Sequence, residues 1–248
     1  MAGHSKWANI KHRKAAMDAK RGAIFTKLAK EISVAARLGG PNEHSNPRLR
    51  TAILKAKAAN MPKENIERAI KKGAGELEGQ NYEEVIYEGY GPGGIAIMVE
   101  VLTDKKSRTL PELRNLFTKA GGNMGEAGSV SYLFEYRGII VLEGPVKEED
   151  LLELVDKTEA EDLQEEEGYT ILKVSKEKFS TALAEALKFA EARQLKIVES
   201  ALKYLPISQM ELQGESLQKA IKLIEALEDH DDVQNVFTNL HIPDAVVA

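Results

Sequence analysis

An α+β fold is predicted, with an N-terminal three-helix domain followed by two ferredoxin-like α/β sandwich domains, the third inserted into the second. Three observations lead there. Apolar residues recur at helical spacing through the first 72 positions; beyond them, apolar runs of strand length alternate with further helical stripes; and the net charge reverses sign at the same boundary. With 248 residues and 43% hydrophobic content, the chain has enough apolar material for more than one core.

The helices come first. Phe25, Leu28, Ala29, Ile32 and Ala36 define one apolar stripe, which Gly39 and Gly40 stop. Asn46 followed by Pro47 reads as an N-cap and first turn, and Leu49, Ile53, Leu54 and Ala58 continue the next stripe. Pro62 opens a third helix with Ile66, Ala69 and Ile70 inward, ended by Gly73. The lead before Phe25 has only Trp7, Ile10 and Met17 to bury, so it is expected to be poorly ordered alone.

"GAGELEGQ", residues 73–80, has linker composition and closes a first domain of residues 1–78. Then "GGIAIMVEV" reads as a buried strand, Leu113, Leu116, Phe117 and Ala120 as a helix, and "GSVSYLF" as a second strand, making a βαβ unit. A second series begins at "RGIIVLEG": a helix around Leu151–Val155, the strand "GYTILKV", a helix carrying Phe179, Leu183, Ala186 and Ala190, and a strand near "IVESALKYLP". Leu217, Ile221, Ile224 and Leu227 form a last helix before the strand-like "DVQNVFTNL". Each set is completed as βαββαβ if residues 134–206 are inserted into a domain made of 79–133 and 207–248.

Composition excludes several functions. There is no cysteine, hence no disulfide, thiolate metal site or cysteine nucleophile. No stretch has the length of a membrane span or the pattern of a signal peptide, so a cytoplasmic protein is expected. The motifs GxxxxGK[ST], HExxH and GxSxG and the Rossmann glycine pattern are all missing. The reading is therefore of a protein that is not an enzyme and needs no cofactor or metal. The acidic run Glu228–Asp232 lacks the glycine and ligand spacing of a calcium loop and reads as a polar turn.

Charge points to a partner. Residues 1–72 hold 17 Lys and Arg against 5 Asp and Glu, leaving 17 against 34 in the remainder. Such a basic half, in a chain whose net charge is −5, fits a nucleic-acid contact, because cations that neutralise phosphates release condensed counterions. The candidate contacts are Lys6, Trp7, Lys11, His12, Arg13, Lys14, Lys20 and Arg21 in the lead, and Lys27, Lys30, Arg48, Arg50 and Lys55 on the helices. Arg37, Lys57 and Arg68 also fall outside the apolar stripes. Trp7 is the one aromatic there free to stack on a base, since Phe25 sits on an apolar stripe. A candidate secondary anion site, with an ordinary solvated loop as the alternative, is Lys105, Lys106 and Arg108, gathered before a helix whose Thr109 and Glu112 have capping-box spacing. Charge alone does not choose between DNA and RNA.

The opening "MAGHSKWANIKHRKAAMDAKRGAIFTKLAKEI", then "YEGYGPGGIAIMVEVLTDKKSRT", "FTKAGGNMGEAGSVSYLF" and "ALEDHDDVQNVFTNL" resemble the YebC/PmpR family nearly end to end. The resemblance implies a cytoplasmic three-domain protein, the third domain inserted in the second. It implies either a DNA-binding transcriptional regulator or, as for a related mitochondrial translational activator, a factor that binds RNA at the ribosome and relieves stalling. The family's SKWxxIKxxK stretch falls on Ser5, Lys6, Trp7, Ile10, Lys11 and Lys14. A small-ligand sensor built on the two ferredoxin-like domains is the remaining class.

Overall fold

The computed structural model describes residues 21–166 and 168–242. The candidate residues Lys6, Trp7, Lys11, His12, Arg13, Lys14 and Lys20, and the order of the lead itself, lie outside the described residues, as does the side chain of Arg21. Two compact units make up the rest: residues 134–207, and residues 21–133 together with 208–242.

The larger unit begins with three helices, α1 (Arg21–Gly39), α2 (Pro47–Ala58) and α3 (Lys63–Gly73). Their apolar stripes meet in a core of Ile32, Ala35, Leu49, Ile53, Ala56, Met61 and Ile66. Asn46 caps α2 as its sequence position predicts. Its Oδ1 accepts from Leu49 N at 3.1 Å, and its Nδ2 donates to the Ala35 and Gly40 carbonyls, both at 2.8 Å. One buried amide thus ties the start of α2 to the end of α1. At the other contact, Gly73 lets α3 approach α1 closely, because a Cβ there would lie 2.2 Å from the Ser33 carbonyl oxygen.

Next comes an antiparallel sheet in the order β3-β1-β2-β9, built from β1 (Glu83–Tyr90), β2 (Ala96–Thr103), β3 (Asn123–Met124) and β9 (Val233–Thr238). Two helices, α4 (Lys106–Lys119) and α7 (Gly214–Asp229), cover one face with Leu113, Phe117, Leu217, Leu223 and Leu227. The chain order is ββαβαβ rather than the βαββαβ read from the sequence. The strand expected at "GSVSYLF" is instead a turn and a 3-10 helix, Ser131–Leu133, and the missing fourth strand is β1. β1 escaped the periodicity because its outer face carries Glu84, Ile86 and Glu88, with Ile86 exposed, so its apolar content is low. The spatial order is still that of a ferredoxin-like sheet, with the third strand moved to the front of the chain. A short parallel pair, β8 (Met210–Glu211) with β10 (Leu240–His241), flanks this sandwich.

Residues 134–207 run β4 (Phe134–Glu143), α5 (Glu148–Thr158), β5 (Asp162–Glu166), β6 (Tyr169–Ser175), α6 (Phe179–Ala192) and β7 (Lys196–Pro206). The order β5-β6-β4-β7, antiparallel throughout, is the complete ferredoxin-like arrangement. The acidic strand β5, "DLQEE", was not legible because an edge strand with one half-buried leucine has no apolar alternation to show. Ile140, Leu142, Leu172 and Val174 pack under Phe179, Ala182, Leu183 and Phe189. Gly138 makes room for that helix. A Cβ there would sit 2.3 Å from Phe179 Cδ2 and 2.7 Å from Val174 Cγ2. Gly138→Ala is therefore expected to destabilise this unit by roughly 1–3 kcal/mol through overpacking, read as a lower denaturation midpoint.

Candidate nucleic-acid interface

The cations of α1 and α2 divide into those that face water and those committed to the protein. Lys30 is 8% exposed. Its Nζ donates to Asp232 Oδ1 at 2.9 Å and to the Asp231 carbonyl at 2.8 Å. One turn earlier, Lys27 Nζ donates to the Glu228 carbonyl. Burial pushes the Lys27 ammonium down, against the raising influence of Glu228, Asp229 and Asp231. Of the run Glu228–Asp232, expected to be a polar turn, Glu228 and Asp229 end α7 and His230–Asp232 form the turn to β9; the run is also the seat for two lysines of α1.

Asp232 is the centre of this seat, only 3% exposed. Besides Lys30, its Oδ2 accepts from Arg108 Nη2 at 2.8 Å and from Thr109 Oγ1 at 2.7 Å. Thr103 Oγ1 lies 2.7 Å from Thr109 Oγ1 and itself accepts the Lys105 N–H at 3.0 Å, so a relay of donors runs from the start of α4 to the carboxylate. Burial alone would push the Asp232 carboxyl up. Donation by Arg108, Lys30 and Thr109 outweighs it and holds the group well below the usual carboxylate range. His230 completes the turn. Its Nδ1 accepts from Asp232 N at 3.1 Å, which puts the ring proton on Nε2, 2.9 Å from Glu112 Oε2.

A second attachment runs through Arg48. Its Nε donates to Glu31 Oε1 at 2.9 Å, and its two terminal nitrogens grip both oxygens of Glu84 on β1. These partners raise the Arg48 guanidinium further although burial acts to lower it. Arg50 donates to the carbonyls of Glu43 at 3.2 Å and His44 at 2.7 Å, closing the loop before α2. Lys55 is exposed and acts on Glu100 of β2, whose carboxyl is pushed up chiefly by burial. Beyond these, α2 and α3 expose Lys57, Arg68, Lys71 and Lys72.

Of the three cations expected to gather ahead of a helix, only Lys105 precedes it. Helix α4 starts at Lys106, so Lys106 and Arg108 lie within its first turn, and Thr109 is buried on its inner face. Lys106 Nζ pairs with Glu83 Oε2 at 2.6 Å, and Arg108 also reaches Asp104 Oδ1 at 2.8 Å. Lys105 remains exposed.

Residues 5–76 match the family description "TACO1/YebC protein N-terminal domain", and residues 82–240 match "TACO1/YebC second and third domain". The chain belongs to the TACO1/YebC family. Among its relatives, a "Probable transcriptional regulatory protein" of Treponema denticola is 52% identical over 98% of both chains. One of the same name from Aquifex aeolicus is 54% identical over 100% of this chain and 98% of the other. The crystal structure of the conserved hypothetical protein Aq1575 from Aquifex aeolicus superposes with a TM-score of 0.80 at 50% identity, covering 98% of this chain and 96% of that one.

In this TACO1/YebC chain the stretches that carry the resemblance meet in space. Thr103 and Arg108, from the stretch beginning "YEGYG", bind Asp232 of "EDHDD". Asn239 Oδ1 accepts from Ala96 N at 2.8 Å. Glu88 takes three backbone N–H groups of the glycine-rich stretch, from Gly128 and Val130 at 2.8 Å and Ser131 at 2.9 Å. Burial would raise the Glu88 carboxyl, but those donors hold it below its ordinary value. Sequence reasoning missed Asp232 and Glu88 as organising residues. No pattern along the chain singled them out, because Asp232 ends the acidic run EDHDD and Glu88 lies in a strand with two other glutamates; only burial requires that each be supplied with donors.

Asp232→Ala strands Lys30 and Arg108, and the loss expected from breaking a buried pair is about 3–5 kcal/mol. The linkage with pH follows from the lowered folded value: the stabilisation by Asp232 is complete about a unit above the unfolded value of about 4, and is lost as pH falls from there toward the folded value. Denaturant titrations of wild type and Asp232→Asn across this range should converge toward acid.

Proposed function

We propose that the protein is a non-enzymatic, nucleic-acid-binding regulator of the cytoplasm, acting on DNA through its basic N-terminal domain. The single observation that carries this reading is the concentration of 17 Lys and Arg against 5 Asp and Glu in residues 1–72 of an acidic chain. The names of the relatives support a role in transcriptional regulation. No helix among the described residues is long and apolar enough to cross a membrane.

Lys6, Lys11, Arg13, Lys14, Lys20 and Arg21 are the proposed phosphate ligands of the lead, with Trp7 as its stacking or anchoring group and His12 adding charge below neutral pH. Lys55, Lys57, Arg68, Lys71 and Lys72 extend the basic surface over α2 and α3, where they are exposed. Lys27, Lys30 and Arg48 serve instead to attach the helices to the neighbouring sandwich, and Arg50 to close the loop ahead of α2.

Salt dependence tests this division. Each phosphate contact contributes roughly 0.9 to the slope of log K against log salt on duplex DNA. Replacing the six lead cations with Ala should lower that slope by about 5, whereas Lys30→Ala should leave the slope intact and lower stability. An unchanged slope in the sixfold variant overturns the assignment. Parallel titrations with a duplex DNA and a structured RNA decide the target: preference for RNA transfers the same cations to a ribosome-associated role.

A further inference from the structure

Strand β7 closes the smaller unit on one side. In the order β5-β6-β4-β7 it pairs with β4 alone, and among the described residues no strand lies on its outer side. It is long, Lys196–Pro206, and its backbone groups on that side are a template for another strand. A bulge marks its beginning, because Leu142 faces Ile197 and Val141 faces Glu199, with Val198 left over. From Glu199 onward the register is regular through Pro206.

The regular part places charges of opposite sign at equal distances on either side of Ala201. Ile140 and Leu142 face the helices, so Ile139 and Val141 face away, and with them their partners Ala201 and Glu199 and, at Arg137, Lys203. On this face an acid and a base flank a small residue symmetrically. Within one chain Glu199 and Lys203 reach toward each other over Ala201 as an ion pair, but Glu199 Oε2 is buried with no hydrogen-bond partner. An acid two residues before a small centre and a base two residues after it form a charge pattern that complements itself when two such edges run antiparallel.

We propose that β7 is a homodimer interface, in which two copies of the chain pair their β7 edges antiparallel about a two-fold axis at Ala201. That register sets Glu199 opposite Lys203 of the partner subunit, and by symmetry Lys203 opposite Glu199 of the partner subunit. Opposite charges directly across an antiparallel pair are favourable, and an isologous contact needs this self-complementarity. Sliding the register by two residues either way sets Glu199 against Ala201 or Leu205 and leaves both charges unmatched. The four-stranded sheet would become an eight-stranded one, so each particle would carry two basic N-terminal domains.

The test uses the full chain in sedimentation velocity. Wild type should sediment as twice 27.3 kDa. Glu199→Lys and Lys203→Glu, each alone, set like charges across the axis and should sediment as single chains. An equimolar mixture of the two should return to the dimer, because every cross-strand pair is again opposite in sign, an outcome that loss of the intrachain pair does not produce. A second measurement is independent of how these variants fold. The chain has no cysteine, and residues facing each other across an antiparallel pair lie about 4.5–5.5 Å apart at Cα, within disulfide range. Ala201→Cys should therefore cross-link to a covalent dimer under mild oxidation, whereas Lys188→Cys on α6 should not. A wild type that sediments as a single chain, single variants that remain dimeric, or an Ala201→Cys chain that does not cross-link would each overturn the interface.

Discussion

A carboxylate shut away from water at the end of α7 has to be supplied with donors, and the way Asp232 is supplied organises the larger unit. Lys30 reaches it from α1, Arg108 and Thr109 from α4, and Thr103 from β2. Three elements, α1, β2 and α4, share one anion more than 120 residues further along the chain. Removing any donor leaves charge uncompensated in a medium that penalises it, so the arrangement is self-enforcing: the helices, the sheet and the α7–β9 turn hold one another in place.

This constraint changes the meaning of the basic N-terminal half. A cation on a helix face is ambiguous, since the same lysine that reaches a phosphate also suits a buried acid. Lys27, Lys30 and Arg48 are spent inside the protein, two of them on the acidic turn and one on Glu31 and Glu84. What remains for a polyanion is the outer face of α2 and α3 and the lead. Apart from Glu31, the acids that anchor the helices belong to the acidic remainder of the chain, so the division of charge along the sequence serves attachment as well as recognition.

Much of this was legible in the sequence, and what was not has physical causes. The stripes Ile32–Ala36, Leu49–Ile53 and Ile66–Ala69 predict their helices because a buried helical face needs that spacing, and Asn46–Pro47 predicts a cap because few residue pairs suit one so well. β1 and β5 were missed because both carry acids where alternation would have shown apolar residues. "GSVSYLF" imitates a strand by composition, yet Glu88 draws the backbone N–H groups of Gly128, Val130 and Ser131 into a turn. The apolar pattern records burial; it does not record which acid collects which amide.

The sequence by itself determined that there are three helices and two α/β sandwiches, that the chain is basic at its start and acidic afterwards, and that its motifs belong to the TACO1/YebC family. These properties are local or additive, carried by spacing, composition and charge. Only the tertiary structure decided which cations are partnered, that β1 comes first in its sheet, and that Asp232 and Glu88 are hubs rather than solvated acids. The hubs depend on residues far apart in sequence meeting within about 3 Å, Lys30 with Asp232 and Glu88 with Gly128, and no pattern read along one chain encodes that distance.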